Sequence, residues 1–257
     1  MTRAMTRSHL PRSNLLRALA DLALIKAQAP PGGVADKLGQ WLDFGAAITL
    51  SAVHSAGPAR AQGAAAPADG AARAAISAAF ARQRLALENS IKAACSGTAS
   101  KSAVTLPVPR PGASMKEASA YEPYRRHYGA QQRAMELSVR ALRATLRDQV
   151  AKAAPRLGPL VELDAALDAV LGERESKALA TLPSLLERRF AQLLAAHRQA
   201  LPAEQQDEAP ALWLKPGAWL TCFGHELETV LLAELNLRLL PTLGLIEAMN
   251  NENLRPT

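Results

Sequence analysis

Apolar residues recur along most of this chain at intervals of three and four, the spacing that gathers them on one face of an α-helix. No segment shows the period-two alternation of a half-buried strand. Leu15, Leu16, Leu19, Leu22 and Ala23 predict a first helix over about 13–28, with Ser13 as N-cap and Pro30, Pro31, Gly32 and Gly33 as its stop. Val34, Leu38, Trp41, Gly45, Ile48 and Ala52 form a heptad-like seam for a second helix over about 34–56. So few residues separate the two that an antiparallel hairpin over 9–57 is expected.

Ile76, Phe80, Leu87 and Ile91 mark a third helix over 71–95. The longest predicted helix runs from Tyr121 to Ala154. With Tyr128, Met135, Leu142 and Gln149 at heptad position d, position a holds Gln132, Val139, Leu146 and Ala153. A long helix with so narrow a seam is expected to pair with another helix, as in a coiled coil. Pro155, Gly158 and Pro159 end it. The next helix, about 160–172, turns Leu160, Leu163, Leu167, Val170 and Leu171 inward and leaves Glu162, Asp164 and Asp168 outside. Gly172 is a predicted kink, and Leu179, Leu182, Leu186, Phe190, Leu193 and His197 continue the pattern to about Leu201, with Pro183 kinking or restarting the helix. The last helix begins near Pro216 and carries Leu220, Phe223, Leu227, Val230 and Leu231; Pro241 and Gly244 should bend or end it.

Two stretches break the periodicity. Residues 58–70 are mostly Ala, Gly and Pro, and residues 96–120 contain Pro107, Pro109 and Pro111. Neither can build a core, so both read as linkers, the second extended or disordered. The expected organisation is all-α: a hairpin over 9–57, a linker over 58–70, a helix over 71–95, a Pro-rich linker over 96–120 and a main helical bundle over 121–257. Composition agrees. Hydrophobic residues make up 49% of the chain but aromatics only 4%, and the Ala and Leu that dominate favour helix over strand.

Two cysteines, Cys95 and Cys222, lie too far apart for a disulfide scaffold and read as reduced thiols of a cytoplasmic protein. The longest uncharged stretch, Phe44 to Ala59, is shorter than the roughly 20 apolar residues of a membrane span, so no direct membrane insertion is expected. The start is basic (Arg3, Arg7, Arg12), but Arg17, Asp21 and Lys26 interrupt the apolar run a signal peptide needs.

Net charge is +7, unevenly spread: residues 1–160 hold 22 basic and 9 acidic side chains, residues 161–257 hold 8 and 14. A basic front and an acidic back imply either internal complementarity or two partner surfaces. The front is most ordered in the long helix. Arg126, Arg133, Arg140 and Arg147 recur every seven residues at position b, with Arg125 and Arg143 widening the line. Tyr121, Tyr124 and Tyr128 precede it at i, i+3 and i+7. Arginine with aromatics can hold phosphates and stack bases, or meet an acidic protein. The alternative is a solvated face with the tyrosines in the core. The break at Pro155–Pro159 is short enough for Glu162, Asp164, Asp168, Glu173 and Glu175 to fold back beside this helix.

Other chemistry is sparse. Asp164 and Asp168 could bind a cation or work as acid and base, but read more simply as a solvated acidic face. Cys222 and His225 share a helix face, yet a zinc site needs two more ligands, which His197 or Cys95 would have to supply. His225–Glu228 (HELE) lacks the second histidine of a metalloprotease motif. No metal, no cofactor and no catalytic residue is expected. The expected function is a non-enzymatic interaction or scaffold protein that pairs with itself or another protein through helical seams. The alternative is a nucleic-acid-binding accessory protein that uses the arginine stripe.

Four stretches resemble the bacterial family catalogued as domain of unknown function 3348: Gln40–Ser55 (QWLDFGAAITLSAVHS), Tyr121–Arg147 (YEPYRRHYGAQQRAMELSVRALRATLR), Val161–Phe190 (VELDAALDAVLGERESKALATLPSLLERRF) and Leu231–Asn250 (LLAELNLRLLPTLGLIEAMN). The resemblance implies a bacterial origin and points toward a cell-envelope membrane-protein partner. It assigns no activity and no site residues.

Overall fold

Among the described residues, helical periodicity becomes helix. The computed structural model describes residues 13–25, 47–48, 50–52, 55, 70–96, 105–110, 114–202 and 209–251, and no strand occurs among them. The helices are α1 (Asn14–Asp21), α2 (Gly70–Ser96), α3 (Met115–Ala118), α4 (Glu122–Ala153), α5 (Gly158–Leu179), α6 (Leu182–Ala200) and α7 (Trp219–Asn251). Short 3₁₀ turns cover Pro155–Leu157 and Pro210–Leu214.

The hub is α7. It packs against α1, α2, α4, α5 and α6, and Phe223, Leu227, Val230, Leu231, Leu235, Leu239 and Met249 on it are fully enclosed. A helix apolar on nearly all sides belongs at the centre of a bundle. It is also, among the described residues, the one helix long and apolar enough to cross a membrane. Of its most apolar window 56% is buried inside the protein, and the helix carries Glu234 and Arg238 in its interior face. Of the two outcomes expected at Pro241, a bend or an end, the end does not occur: the helix runs on to Asn251. Proline there removes one N–H and costs about 3 kcal/mol in an isolated helix. Burial of Leu239, Leu245, Ile246 and Met249 on either side of it outweighs that penalty. At its end, Arg73 of α2 donates to the Met249 carbonyl at 3.2 Å, placing a cation where unpaired carbonyls gather.

Six aromatic rings form one cluster at the end of α7 where it begins. Phe190 stands 5.1 Å from both Phe223 and Trp219, and Tyr121, Tyr124 and Trp213 close the set. A chain with few aromatics has concentrated them where α4, α6 and α7 meet.

Several local expectations change. Helix α1 stops at Asp21 rather than near residue 28, because Ala23 turns into the left-handed region at φ 55° and Leu24 N–H caps the Leu19 carbonyl at 2.9 Å. Ser13 stands at the N-cap without a side-chain hydrogen bond. Helix α5 runs unbroken through Gly172; the break comes at Ala180–Thr181, and Pro183 sits in the first turn of α6, where a missing N–H costs nothing. The last helix opens at Trp219, after Gly217 reverses the chain at φ 80°.

The Pro-rich stretch 96–120 is not a free spacer where it is described. Leu106 N–H donates to the Ala94 carbonyl at 2.8 Å, and its side chain lies against Gly224 of α7. A Cβ on Gly224 would stand 3.0 Å from Leu106 Cδ2, so glycine is what admits the strap. Ser114 then opens α3 with a reciprocal capping box to Glu117. In the predicted hairpin, α1 packs on α7; the rest of 9–57, apart from 13–25, 47–48, 50–52 and 55, and linker 58–69 lie outside the described residues.

Candidate functional site

The arginine stripe of α4 divides into two populations. Arg126 and Arg140 are exposed, with side-chain accessibilities of 74% and 67%, and Arg133 is exposed as well. Each paired member leans on a carboxylate of its own helix: Arg126 Nε lies 3.2 Å from Glu122, and Arg140 Nη2 donates to Glu136 at 2.9 Å. Pairs this exposed contribute at most about 1 kcal/mol. Leu137 stands among them at 67% exposure. Arg147 is different. Its side chain is 16% exposed and donates to Asp168 Oδ2 at 2.6 Å.

The division has a geometric cause. A straight α-helix drifts about 20° per heptad from an ideal 3.5-residue repeat, so three heptads rotate a stripe by about 60°. That rotation carries Arg147 from the outer face to the α5 side. The same drift unwinds the predicted seam: Tyr128 and Met135 are buried, Leu142 is half-buried and Gln149 is exposed. The buried line runs instead through Tyr124, Tyr128, Met135, Val139, Arg143, Leu146 and Val150, close to the 3.6-residue period of a straight globular helix.

Arg143, expected beside the exposed stripe, is the centre of a buried ion-pair square. Its Nε and Nη2 donate to Asp164 Oδ2 and Oδ1 at 2.9 and 2.6 Å, a bidentate fork, and Nη1 donates to Asp168 Oδ1 at 2.8 Å. Arg147 Nε stands 3.4 Å from Asp164 and closes the square. Asp164 and Asp168 are therefore no solvated acidic face. The acidic stretch does fold back on α4, and two of its carboxylates are used on that helix.

A second network crosses from α4 to α7. Tyr128 O–H donates to Glu234 Oε2 at 2.8 Å, and Gln132 Nε2 donates to both Glu234 oxygens at 3.0 and 3.2 Å. Arg238 Nε donates to Glu234 Oε1 at 3.0 Å. Burial beside the Glu234 carboxylate pushes the Tyr128 hydroxyl well above the usual phenolic range, which keeps it a donor. Tyr121 O–H donates to the Pro183 carbonyl at 2.6 Å, and burial raises its pKa too; Tyr124 is pushed up to about 12 by burial. All three tyrosines of the candidate surface are thus core residues, with no ring face offered to a partner. Glu175 lies near both networks, and burial raises its carboxyl pKa against the lowering pull of Arg238 and Arg143.

Between α4 and α5 an open cleft of about 530 Å³ is lined by Glu136, Arg140, Arg147, Asp168, Glu173 and Ser176 over a floor of Ala165, Ala169 and Gly172. Cys222 is exposed and points to the Gly217 carbonyl, and Cys95 is half-buried with its thiol pushed up to about 12 by burial. No group of three potential metal-ligating His, Cys, Asp or Glu side chains occurs among the described residues.

Sequence reasoning missed Glu234 and Arg238, although one signal was available: an i, i+4 acid–base pair inside the most apolar run of the chain. It also missed Arg143, whose partners lie on another helix.

The chain is an all-α protein whose long helices enclose charged networks and leave a basic face outside. It belongs to the family described as Protein of unknown function (DUF3348), whose family model matches residues 1–251. No curated protein and no solved structure matches it.

Proposed function

We propose that this is a non-enzymatic interaction protein of the bacterial cytoplasm, which docks an acidic amphipathic helix of another protein on the outer face of α4. One observation carries the reading: Arg133 and Arg140 flank the exposed Leu137, with Arg126 about three turns earlier on the same face, after the fourth arginine of the stripe has been drawn toward α5. A basic rim around an apolar residue complements a helix with an apolar stripe and flanking carboxylates. The seam of α4 is occupied by α7 and α2 of the same chain, so the outer face is the one left to a partner. The interior charges support a structural role, because Arg143, Asp164, Glu234 and Arg238 are consumed by one another. The two free thiols and the position of α7 in the core support a cytoplasmic location.

The test is affinity capture from the native bacterium with the wild type and with a triple variant, Arg126→Gln, Arg133→Gln and Arg140→Gln. A helical protein with an acidic face should be retained by the wild type, released by salt and absent from the triple variant, whose melting should be unchanged. Equal capture by both proteins refutes the reading. A captured species destroyed by nuclease would favour nucleic acid instead, a reading that loses its stacking surface with the burial of Tyr121, Tyr124 and Tyr128.

A further inference from the structure

The Pro-rich strap and the first turns of α4 border a second, open concavity, about 510 Å³, away from the α5 cleft. Thr105, Pro107 and Arg110 form one wall, and Pro123, Arg126 and His127 the other. We infer that this notch binds the phosphate group of a small phosphorylated molecule, held between the guanidinium groups of Arg110 and Arg126.

The wall that carries Arg110 is fixed rather than loose. Thr105 offers its carbonyl to His127 Nδ1 at 3.1 Å, Leu106 N–H is tied to Ala94 at 2.8 Å, and the Leu106 side chain is seated on Gly224. Pro107 and Pro109 then hold φ near −65°, so little backbone freedom separates those anchors from Arg110. A backbone fixed in advance leaves only the side chain to be ordered when Arg110 meets an oxyanion.

None of the residues lining the notch is acidic; Glu117 acts on Arg110 and Glu122 pairs with Arg126 from outside the lining. Arg110 has no ion pair among the described residues, and Arg126 commits only its Nε, to Glu122 at 3.2 Å. The notch also lies beside the first turn of α4, the positive end of the helix dipole. A phosphate monoester carries a charge of about −1.5 to −2 at neutral pH and three acceptor oxygens, which suits two guanidinium forks better than a single carboxylate would. His127 does not add a third cation. Its ring is buried, Nδ1–H is used on the strap, and burial lowers its pKa, so it stays neutral beneath the site. The volume lies within the range of about 300–1,000 Å³ found for small-molecule sites.

The site shares Arg126 with the proposed docking face but is anchored by Arg110, outside α4, so the two ideas fail separately. The test is a heteronuclear NMR titration of the full chain with inorganic phosphate at constant ionic strength. Saturable shifts should appear in residues 105–110 and 123–130. Arg110→Gln and Arg126→Gln should each weaken binding at least about tenfold, the loss of one charged hydrogen-bonding partner. Arg140→Gln, on the docking face and about four turns from Arg126, should leave it unchanged. A linear response without saturation, equal affinity in Arg110→Gln, or an equal loss in Arg140→Gln would each overturn the proposal. A glycerol phosphate arm should bind at least as tightly as phosphate; its exclusion would show the notch too closed for a phosphorylated molecule and would also overturn it.

Discussion

Replacing Arg143 by Met should be the most destabilising charge removal on α4. Arg143 is 10% exposed in its side chain and Asp164 9%, and the two are joined by a bidentate fork of 2.6 and 2.9 Å. Methionine keeps much of the volume and removes every donor. Asp164 is then left buried with only Arg147 Nε at 3.4 Å, and Asp168 keeps Arg147 Nη2 at 2.6 Å. Removing one partner of a buried pair costs about 3–5 kcal/mol, because the other charge remains desolvated. Arg147 moderates the loss, which places the expected cost near 3 kcal/mol. For a chain of this size that is a fall in Tm of about 6–12 °C. The assay is urea unfolding followed by circular dichroism, with Arg126→Gln as an exposed control expected to change stability by less than about 0.5 kcal/mol. Adding Asp164→Leu to Arg143→Met should recover at least half of the loss, since the stranded carboxylate is the source of the cost. A cost under about 1 kcal/mol for Arg143→Met, or no recovery in the double variant, would refute the argument.

Three further outcomes follow from other sites. Glu175→Gln should raise stability at neutral pH: burial raises this carboxyl above its usual value of 4.5, so folding favours the protonated form and loses stability as pH climbs through the folded pKa. The gain should vanish near pH 3, where Glu175 is protonated in both states, and urea midpoints at the two pH values check it. His127 has its pKa lowered from the usual 6.5, first by burial, so the stability it supports is intact above pH 6.5 and declines as acid charges the unfolded chain. Proton exchange at the Leu106 amide should quicken, relative to its intrinsic rate, over that range, and His127→Gln should flatten the change; an unchanged profile in the variant would separate the strap from His127. Gly224→Ala should crowd Leu106 at 3.0 Å and loosen the strap, making cleavage near 105–110 faster while global stability moves by about 1 kcal/mol or less. Leu106→Ala in the same chain should remove the difference between glycine and alanine at 224.

The periodicity of apolar residues was enough to predict an all-α fold, and Pro155, Pro159 and Pro183 marked real breaks between helices. These signals are local: each depends on residues within a few turns, and a proline restricts its own backbone wherever it stands. The bounds of α2 and α4 were legible for that reason. The destinations of the side chains were not. Sequence placed Arg143 and Arg147 on the open side of α4 and Asp164 and Asp168 on the open side of α5, because a helical wheel knows nothing of the neighbouring helix. The drift of a 3.6-residue helix against a 3.5-residue count, added over three heptads, turned Arg147 inward and Gln149 outward. Pro241 illustrates the same limit from the other direction, since its local penalty is outweighed only by contacts with helices distant in sequence. Linker 96–120 looked structureless because its prolines and valines carry no period; Leu106 becomes an anchor only where Gly224, more than a hundred residues away, leaves room for it. What the sequence determined is where the chain is helical, because backbone preference is read residue by residue. What tertiary structure decided is which charges meet and which remain outside, because burial and pairing depend on surfaces that exist only after the helices have packed.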